Sequence, residues 1–355
     1  MPAVTVLMPV YNAHKFLRAA LESILQQTFH DFECLIIDDG STDDSVAIVQ
    51  SYQDPRIRLY QNEQNVGISA TLNKGIGLAT APYIARMDAD DVSHLERLQK
   101  QVDYLRMNPD CALVSAAVKV MDESGAFMRV DDFKSEYFYY NLTFICWIYH
   151  PTVMYRKDAV QAVNRYTALY AEDFELFWQL SRRYRIHHLP EVLLEYRVTS
   201  QSLHQVLKKG EYARAQQEQI LRNLQYYAGP EYTVPLTFIE CFQHNFTPLL
   251  QEQSTRRLID CLKELDFLTH KILAKENPNR HSPSIQKAAM YKKRYLIDSF
   301  LPYLSWPQKV YLLLSAFSLK DLVKYFLVKA MEAQRKETPE PEPVPVPFIP
   351  ELLFN

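Results

Sequence analysis

Val4 to Met8 is a short apolar run that ends at Pro9, and Phe16, Leu17, Ala20, Leu21, Ile24 and Leu25 then recur at helical spacing. Phe32 to Ile37 is a second apolar run, cut off by Asp38-Asp39-Gly40. Ser41 and Thr42 are placed to cap the next helix, whose apolar side carries Val46 and Val49. Ile57 to Tyr60 predicts a strand, Ile68 to Ala79 a helix and Tyr83 to Met87 a strand. Strands alternating with helices predict right-handed βαβ crossovers and an α/β fold with a mainly parallel sheet flanked by helices. Ligands of such sheets sit outside the carboxyl ends of the strands, where Asn12, Asp39 and Asp88 fall.

From Ala112 the pattern is strand-like to Met121 and then polar. Glu172 to Arg183 predicts a helix with Phe174, Phe177, Trp178 and Leu180 apolar, and Val192 to Val198 a closing strand. Beyond about residue 205 the chain reads as helical, with breaks at Gly229-Pro230 and Asn277-Pro278. Thr338 to Pro350, rich in proline with alternating glutamates, predicts a disordered tail. The expected organisation is a catalytic domain over 1–205, a helical extension over 206–337 and a tail over 338–355.

Hydrophobic residues make up 48% of the 355, enough for a sizeable core. The net charge of -3, with acids and bases interspersed, lacks the basic footprint of a nucleic-acid binder. The 5 cysteines form no CxxC pair, so no zinc or thioredoxin-like site is signalled, and their odd, scattered set suits a reducing cytosol. No signal-peptide pattern opens the chain, and the apolar stretch from Val310 to Val328 is interrupted by Lys320, Asp321 and Lys324. A cytoplasmic protein is therefore expected.

Asp88-Ala89-Asp90-Asp91 follows the apolar strand Tyr83-Ile84-Ala85. Clustered carboxylates beside a core repel one another unless a cation neutralises them, and their oxygens suit Mg²⁺ or Mn²⁺. The alternative is a helix N-terminus that favours acids. Asp38-Asp39-Gly40 ends the second strand, where a carboxylate could accept from a base N–H or a ribose hydroxyl; an Asp-Gly turn explains the same residues. Tyr11, in Pro9-Val10-Tyr11-Asn12, could stack on a nucleobase or pack within its loop. Glu172-Asp173 opens a helix as either a general base or an acidic first turn. Gly75-Ile76-Gly77 lacks the third glycine and the preceding strand of a dinucleotide fingerprint, and no P-loop or nucleophile elbow occurs.

Taken in order, the strand Val4 to Asn12, the helix ending Gln26-Gln27-Thr28, Leu35-Ile36-Ile37-Asp38-Asp39-Gly40-Ser41-Thr42-Asp43, Asn65-Val66-Gly67 and Ala85-Arg86-Met87-Asp88-Ala89-Asp90-Asp91 closely resemble the family 2 inverting glycosyltransferases, of non-processive type. His150-Pro151-Thr152, Ala171-Glu172-Asp173 and Tyr196-Arg197 are similar to that family's second half. The likeness covers roughly residues 3 to 205. It implies a GT-A fold, with a nucleotide-binding half over 1–110 and an acceptor-binding half over 111–205. It implies donor contacts from Pro9, Tyr11, Asn12, Asp38, Asp39, Asn73 and Asp88, and Mn²⁺ or Mg²⁺ on Asp88 and Asp90 with His150 as a further candidate. Asp173 would be the base with Glu172 as its rival, and Asp91, His150 and Arg197 would face the acceptor. After the NxG segment the family often has an arginine; here Ile68 to Lys74 has none, which leaves a donor contact open.

The implied reaction moves a sugar from a nucleotide-sugar, by resemblance a UDP-sugar, to a hydroxyl of a glycan or lipid-linked glycan, in surface polysaccharide or lipopolysaccharide synthesis. A nucleotidyltransferase is the second reading, but the loop Pro9 to His14 has no glycine to hold a triphosphate. A non-catalytic binding protein of the same fold is the third, and it conflicts with the retention of both Asp90 and Asp173. In 306–335 apolar residues alternate with Lys309, Lys320, Lys324 and Lys329. Packing on the catalytic domain or on a second copy is the expectation there; a peripheral contact with the cytoplasmic face of a membrane is the alternative.

Overall fold

The computed structural model describes residues 1–200 and 208–336; the proline-rich tail falls outside them. Nine strands run in chain order: β1 (Val4–Val10), β2 (Phe32–Asp38), β3 (Ile57–Gln61), β4 (Tyr83–Arg86), β5 (Val92–Ser93), β6 (Cys111–Met121), β7 (Phe127–Asp131), β8 (Met154–Arg156) and β9 (Arg185–Arg197). They form one sheet in the order β3-β2-β1-β4-β8-β6-β9-β5, with β7 on β6. The first four are parallel, and β6 runs parallel to β9; β8, β5 and β7 add short antiparallel pairings. Every residue of β1 and of β2 is buried, which is why both read as unbroken apolar runs rather than as alternation.

Through the sheet region the helices are α1 (Leu17–Leu25), α2 (Ser45–Gln50), α3 (Ile68–Leu78), α4 (Arg97–Met107), α5 (Phe138–Asn141), α6 (Lys157–Ala162) and α7 (Glu172–Ser181). One core cluster joins Val6 and Met8 of β1, Leu17, Leu21 and Ile24 of α1, Ile36 of β2 and Leu98, Val102 and Leu105 of α4. Gly75 lies inside α3 because a Cβ there would sit 2.2 Å from Leu7 Cδ1: the glycine lets the helix close on β1.

Ser41 and Thr42 do not cap α2. The helix starts at Ser45, whose N–H donates to Asp43 Oδ1 at 2.9 Å, while the Ser41 hydroxyl and the Thr42 amide are both spent on Asn12. The closing strand is longer than its apolar stretch, because β9 pairs along nearly all of β6, from Arg185 to Arg197.

The chain divides into two compact units. The first comprises Met1–Leu142, Cys146–Gln216 and Asn277–Asn279, and so takes in the first turns of α8 (Lys209–Ala228). Within it, Asn279 Nδ2 donates to the Ser181 and Tyr184 carbonyls at 2.8 and 2.7 Å and so satisfies the carboxyl end of α7. The second unit is helical: α9 (Leu236–Phe242), α10 (Thr247–Gln251), α11 (Thr255–Ala274), α12 (Ser282–Phe300), α13 (Trp306–Ala316) and α14 (Leu319–Lys336). Leu258, Leu262, Leu265 and Leu268 form the buried stripe of α11, with Ile297 and Phe300 buried on α12. Among the described residues no helix is long and apolar enough to cross a membrane.

Candidate active site

All the residues the sequence singles out for chemistry lie in the first unit. At the end of β1, Tyr11 is 51% exposed, whereas Pro9 is buried within the strand. Asn12 takes the left-handed conformation (φ 48°), its N–H donates to Ser41 Oγ at 2.9 Å, and its Oδ1 accepts from the Thr42 amide at 2.8 Å. These bonds tie the loop after β1 to the loop after β2.

Asp38 ends β2 and Asp39 follows it. Asp38 Oδ2 accepts from the Ser41 amide at 3.2 Å, while its Oδ1 is buried without a partner. Asp39 Oδ1 accepts from Asn62 Nδ2 at 2.7 Å and from the Val66 amide at 3.0 Å, and its Oδ2 from the Gly67 amide at 3.0 Å. Asp39 therefore fixes the loop before α3, and Oδ2 keeps acceptor capacity for one more donor. Gly40 has φ +75°, and a Cβ there would lie 2.8 Å from the Gln64 carbonyl carbon. Gly40→Ala combines backbone strain with a clash against backbone, so the midpoint of urea unfolding should fall by an amount worth about 1–3 kcal/mol. An unchanged midpoint would mean the 64–67 loop is not held in this place.

Asp88, Asp90 and Asp91 follow β4. Asp88 Oδ1 accepts from Arg86 Nη2 at 2.6 Å. The Asp90 carboxyl is pushed up to about 7, first by burial and then by the Asp88 charge. Asp91 is fully buried and is raised well above the ordinary range by burial and both neighbours. Its Oδ1 accepts from the Arg197 amide at 2.8 Å, and its Oδ2 has no partner. Asp91 thus braces the loop against β9 and is not open to an acceptor. The Arg197 side chain is also engaged, with Nε donating to the Asp90 carbonyl at 2.9 Å and the guanidinium 4.5 Å over the Phe16 ring.

The second acidic pair opens α7, where Ala171 turns the chain with φ 53°. Glu172 is buried, its Oε2 has no partner, and burial followed by the Asp173 charge raises its carboxyl to about 8. Asp173 is the more accessible of the two; Oδ1 accepts from the Phe174 amide at 2.8 Å, and burial raises the carboxyl to about 6. His150 is buried with Nε2 2.7 Å from Tyr166 Oη and Nδ1 3.8 Å from Glu172 Oε1. Burial, then the Arg86 charge, drives its pKa far down, so it is a neutral imidazole. Asn73 is occupied on both sides by the Tyr166 backbone, donating at 2.7 Å and accepting at 3.1 Å.

Two arginines escaped the sequence reading. Arg86 is 2% exposed, bonds Asp88 and the Met87 carbonyl, and its charge acts on Asp90, Asp91, His150, Glu172 and Asp173 together. Arg97 is fully buried and holds the Arg86 carbonyl through Nη2 at 2.6 Å. The signal for Arg86 was present: a cation closing an apolar strand directly before an acidic cluster.

The chain matches the family model "Glycosyl transferase family 2" over residues 5–163. It is 32% identical over 212 residues to the "Uncharacterized glycosyltransferase MJ1057" of Methanocaldococcus jannaschii, spanning 56% of this chain and 71% of that protein. It is 31% identical over 212 residues to the "O-antigen biosynthesis glycosyltransferase WbnJ" of Escherichia coli, spanning 56% and 81%. The chain is a family 2 glycosyltransferase. Relatives of this glycosyltransferase act in polysaccharide biosynthesis, among them the amylovoran biosynthesis protein AmsE of Erwinia amylovora at 31% identity, spanning 55% of this chain and 76% of that one. Its fold is similar to that of S. aureus TarS 1-349 solved in complex with UDP-GlcNAc (TM-score 0.53, 16% identity, 86% and 93% of the two chains). It is also similar to that of the mannosyltransferase PcManGT of Pyrobaculum calidifontis in complex with GDP-Man and Mn2+ (TM-score 0.50, 16% identity, 95% and 88%). The fold class is accordingly GT-A.

Proposed function

We propose that this glycosyltransferase moves a sugar from a UDP-sugar to a hydroxyl of a glycan or lipid-linked glycan in a single displacement that inverts the anomeric carbon. Residues 1–110 would hold the nucleotide and 111–205 the acceptor, with 206–337 an extension to this catalytic part. The observation that carries the reading is the placing of two acidic sets, Asp88 to Asp91 and Glu172-Asp173, around the buried Arg86 charge.

A divalent cation fits the first set. The donors are hard carboxylate oxygens, and burial with the Asp88 charge raises the Asp90 carboxyl to about 7. Mg²⁺ and Mn²⁺ are commonly held by one or two carboxylates together with substrate phosphates. Asp90, with Asp88, would be the protein's share, and the bound cation would neutralise charge on the departing diphosphate.

The chain's own groups supply the rest. Tyr11, exposed at the end of β1, would stack on the base, and Asp39 Oδ2 would accept a base N–H while the carboxylate holds the 62–67 loop. Asp173 would take the proton of the acceptor hydroxyl as its oxygen bonds to the anomeric carbon and the sugar–phosphate bond breaks, its electrons leaving with the nucleoside diphosphate. Arg86, bonded to Asp88, would hold the first set in place and temper the repulsion between the two.

The test is nucleoside diphosphate release from a panel of nucleotide-sugars with Mn²⁺ or Mg²⁺, with the product anomer read by NMR. Inverted product from a UDP-sugar is expected. Tyr11→Ala should raise the donor KM by about 5- to 150-fold, the range of one stacked base, and leave the acceptor KM nearly unchanged. Retained configuration, or a change confined to the acceptor KM, would defeat the assignment.

A further inference from the structure

Helices α13 and α14 leave much of their apolar surface uncovered. On α13, Leu312 and Leu313 face inward, while Trp306, Val310 and Leu314, spaced four apart, are 76%, 46% and 61% exposed. On α14, Tyr325 is buried, yet Leu319, Val323 and Phe326 are 78%, 53% and 54% exposed. Large side chains on successive turns of two neighbouring helices exceed the scattered apolar residues of an ordinary surface and mark a docking surface. Only Leu312, Leu313 and Tyr325 among the large apolar side chains of 306–330 are buried.

Charge decides what covers the exposed ones. Across 306–330 the charged residues are Lys309, Lys320, Asp321, Lys324 and Lys329. Lys329 is paired with Asp298 at 2.7 Å, which leaves three lysines against one aspartate, with Lys320 and Lys324 exposed. A twofold contact would set the same stripe against itself and bring like charges together, and lysine is depleted where proteins bury surface against one another. An anionic lipid surface suits the pattern on every count. The aliphatic and phenyl groups enter the acyl boundary, Trp306 and the exposed Tyr311 sit at the headgroup level, and the lysines meet anionic headgroups.

We propose that the exposed faces of α13 and α14 dock this enzyme on an anionic membrane surface as a peripheral contact. The inference does not rest on the reading of the donor site, because binding is read without turnover. The full chain is sedimented with vesicles of phosphatidylcholine alone or mixed with phosphatidylglycerol, at about 0.01 M and about 0.5 M salt, where the screening length falls from about 30 Å to about 4 Å. It should bind the anionic vesicles, far less the neutral ones, and less in high salt. One lysine near an anionic surface strengthens binding about fivefold, so Lys320→Gln with Lys324→Gln should weaken it about 25-fold. Trp306→Ala with Leu314→Ser should weaken it as well. If that pair disturbs folding, the lysine pair, wholly on the surface, still carries the test. Equal recovery on both vesicle types overturns the proposal. So does a dimer by light scattering that dissolves in Trp306→Ala with Leu314→Ser, in a protein that leaves the vesicles behind.

Discussion

Asp90→Asn should lower transfer by more than about 10³-fold, because charge stabilisation through a bound cation is worth several kcal/mol and this carboxylate is its proposed anionic anchor. The same substitution separates a metal site from a helix-start acid. In the free protein the Asp90 carboxyl sits near 7, raised by burial and by Asp88. A protonated carboxyl is no ligand, so Mn²⁺ affinity of the native enzyme should fall as pH drops below about 7. The Asn variant, already weak, should lose that pH dependence. Stability moves the other way. A carboxyl whose folded pKa is raised costs stability once pH climbs above its unfolded value, so at neutral pH the amide relieves repulsion with Asp88. The metal-free variant should therefore melt no lower than the native chain. Thermal melts with and without Mn²⁺ and UDP show both effects: native protein gains from the ligands, the variant does not. Near-normal turnover with an unchanged ligand shift would return the cluster to the role of a helix-start acid.

What could be read from the sequence follows from how each element is buried. The strands β1 and β2 are covered on both faces, so they appear as continuous apolar runs, and the short loops after them fall at the carboxyl ends where the fold gathers its polar groups. Strand β7 could not be read because four of its five residues are only partly buried or exposed and show no alternation. Strands β5 and β8 are two and three residues long, below the length at which any periodicity exists. In the site, residue types were legible and their partners were not. Asp39 reads as a ligand acceptor or a turn residue, and only the folded 62–67 loop shows the three donors it holds. Asp91 looks like one more acid of the cluster, and only the pairing of β5 with β9 brings the Arg197 amide onto it and closes it from solvent. Arg86 looks like an ordinary basic residue until β4 is seen to be buried to its last position.

The choice between Asp173 and Glu172, which the sequence leaves to resemblance, becomes a physical one. Both lie in the first turn of α7, but Glu172 is buried, and burial with the Asp173 charge raises its carboxyl to about 8, which favours the protonated form. Asp173 is more accessible, and burial raises its carboxyl too, to about 6, so it is more basic than an ordinary aspartate. Both properties suit a group that must accept a hydroxyl proton. Asp173→Asn keeps the size and the oxygen that accepts from the Phe174 amide, so folding should survive. Its kcat should fall by about 10²- to 10⁴-fold, while donor Kd stays close to native, since Tyr11, Asp39 and Asp90 are untouched. The native enzyme should lose kcat/KM as pH drops through about 6, because protonation removes the base; the residual activity of the Asn variant should show no such limb. Glu172→Gln replaces a buried carboxyl whose raised pKa favours the neutral form, and should keep most of its turnover. If Glu172→Gln alone stops the reaction, the base is the neighbouring residue and the burial argument is wrong. If neither substitution slows it, deprotonation by this pair is not the mechanism.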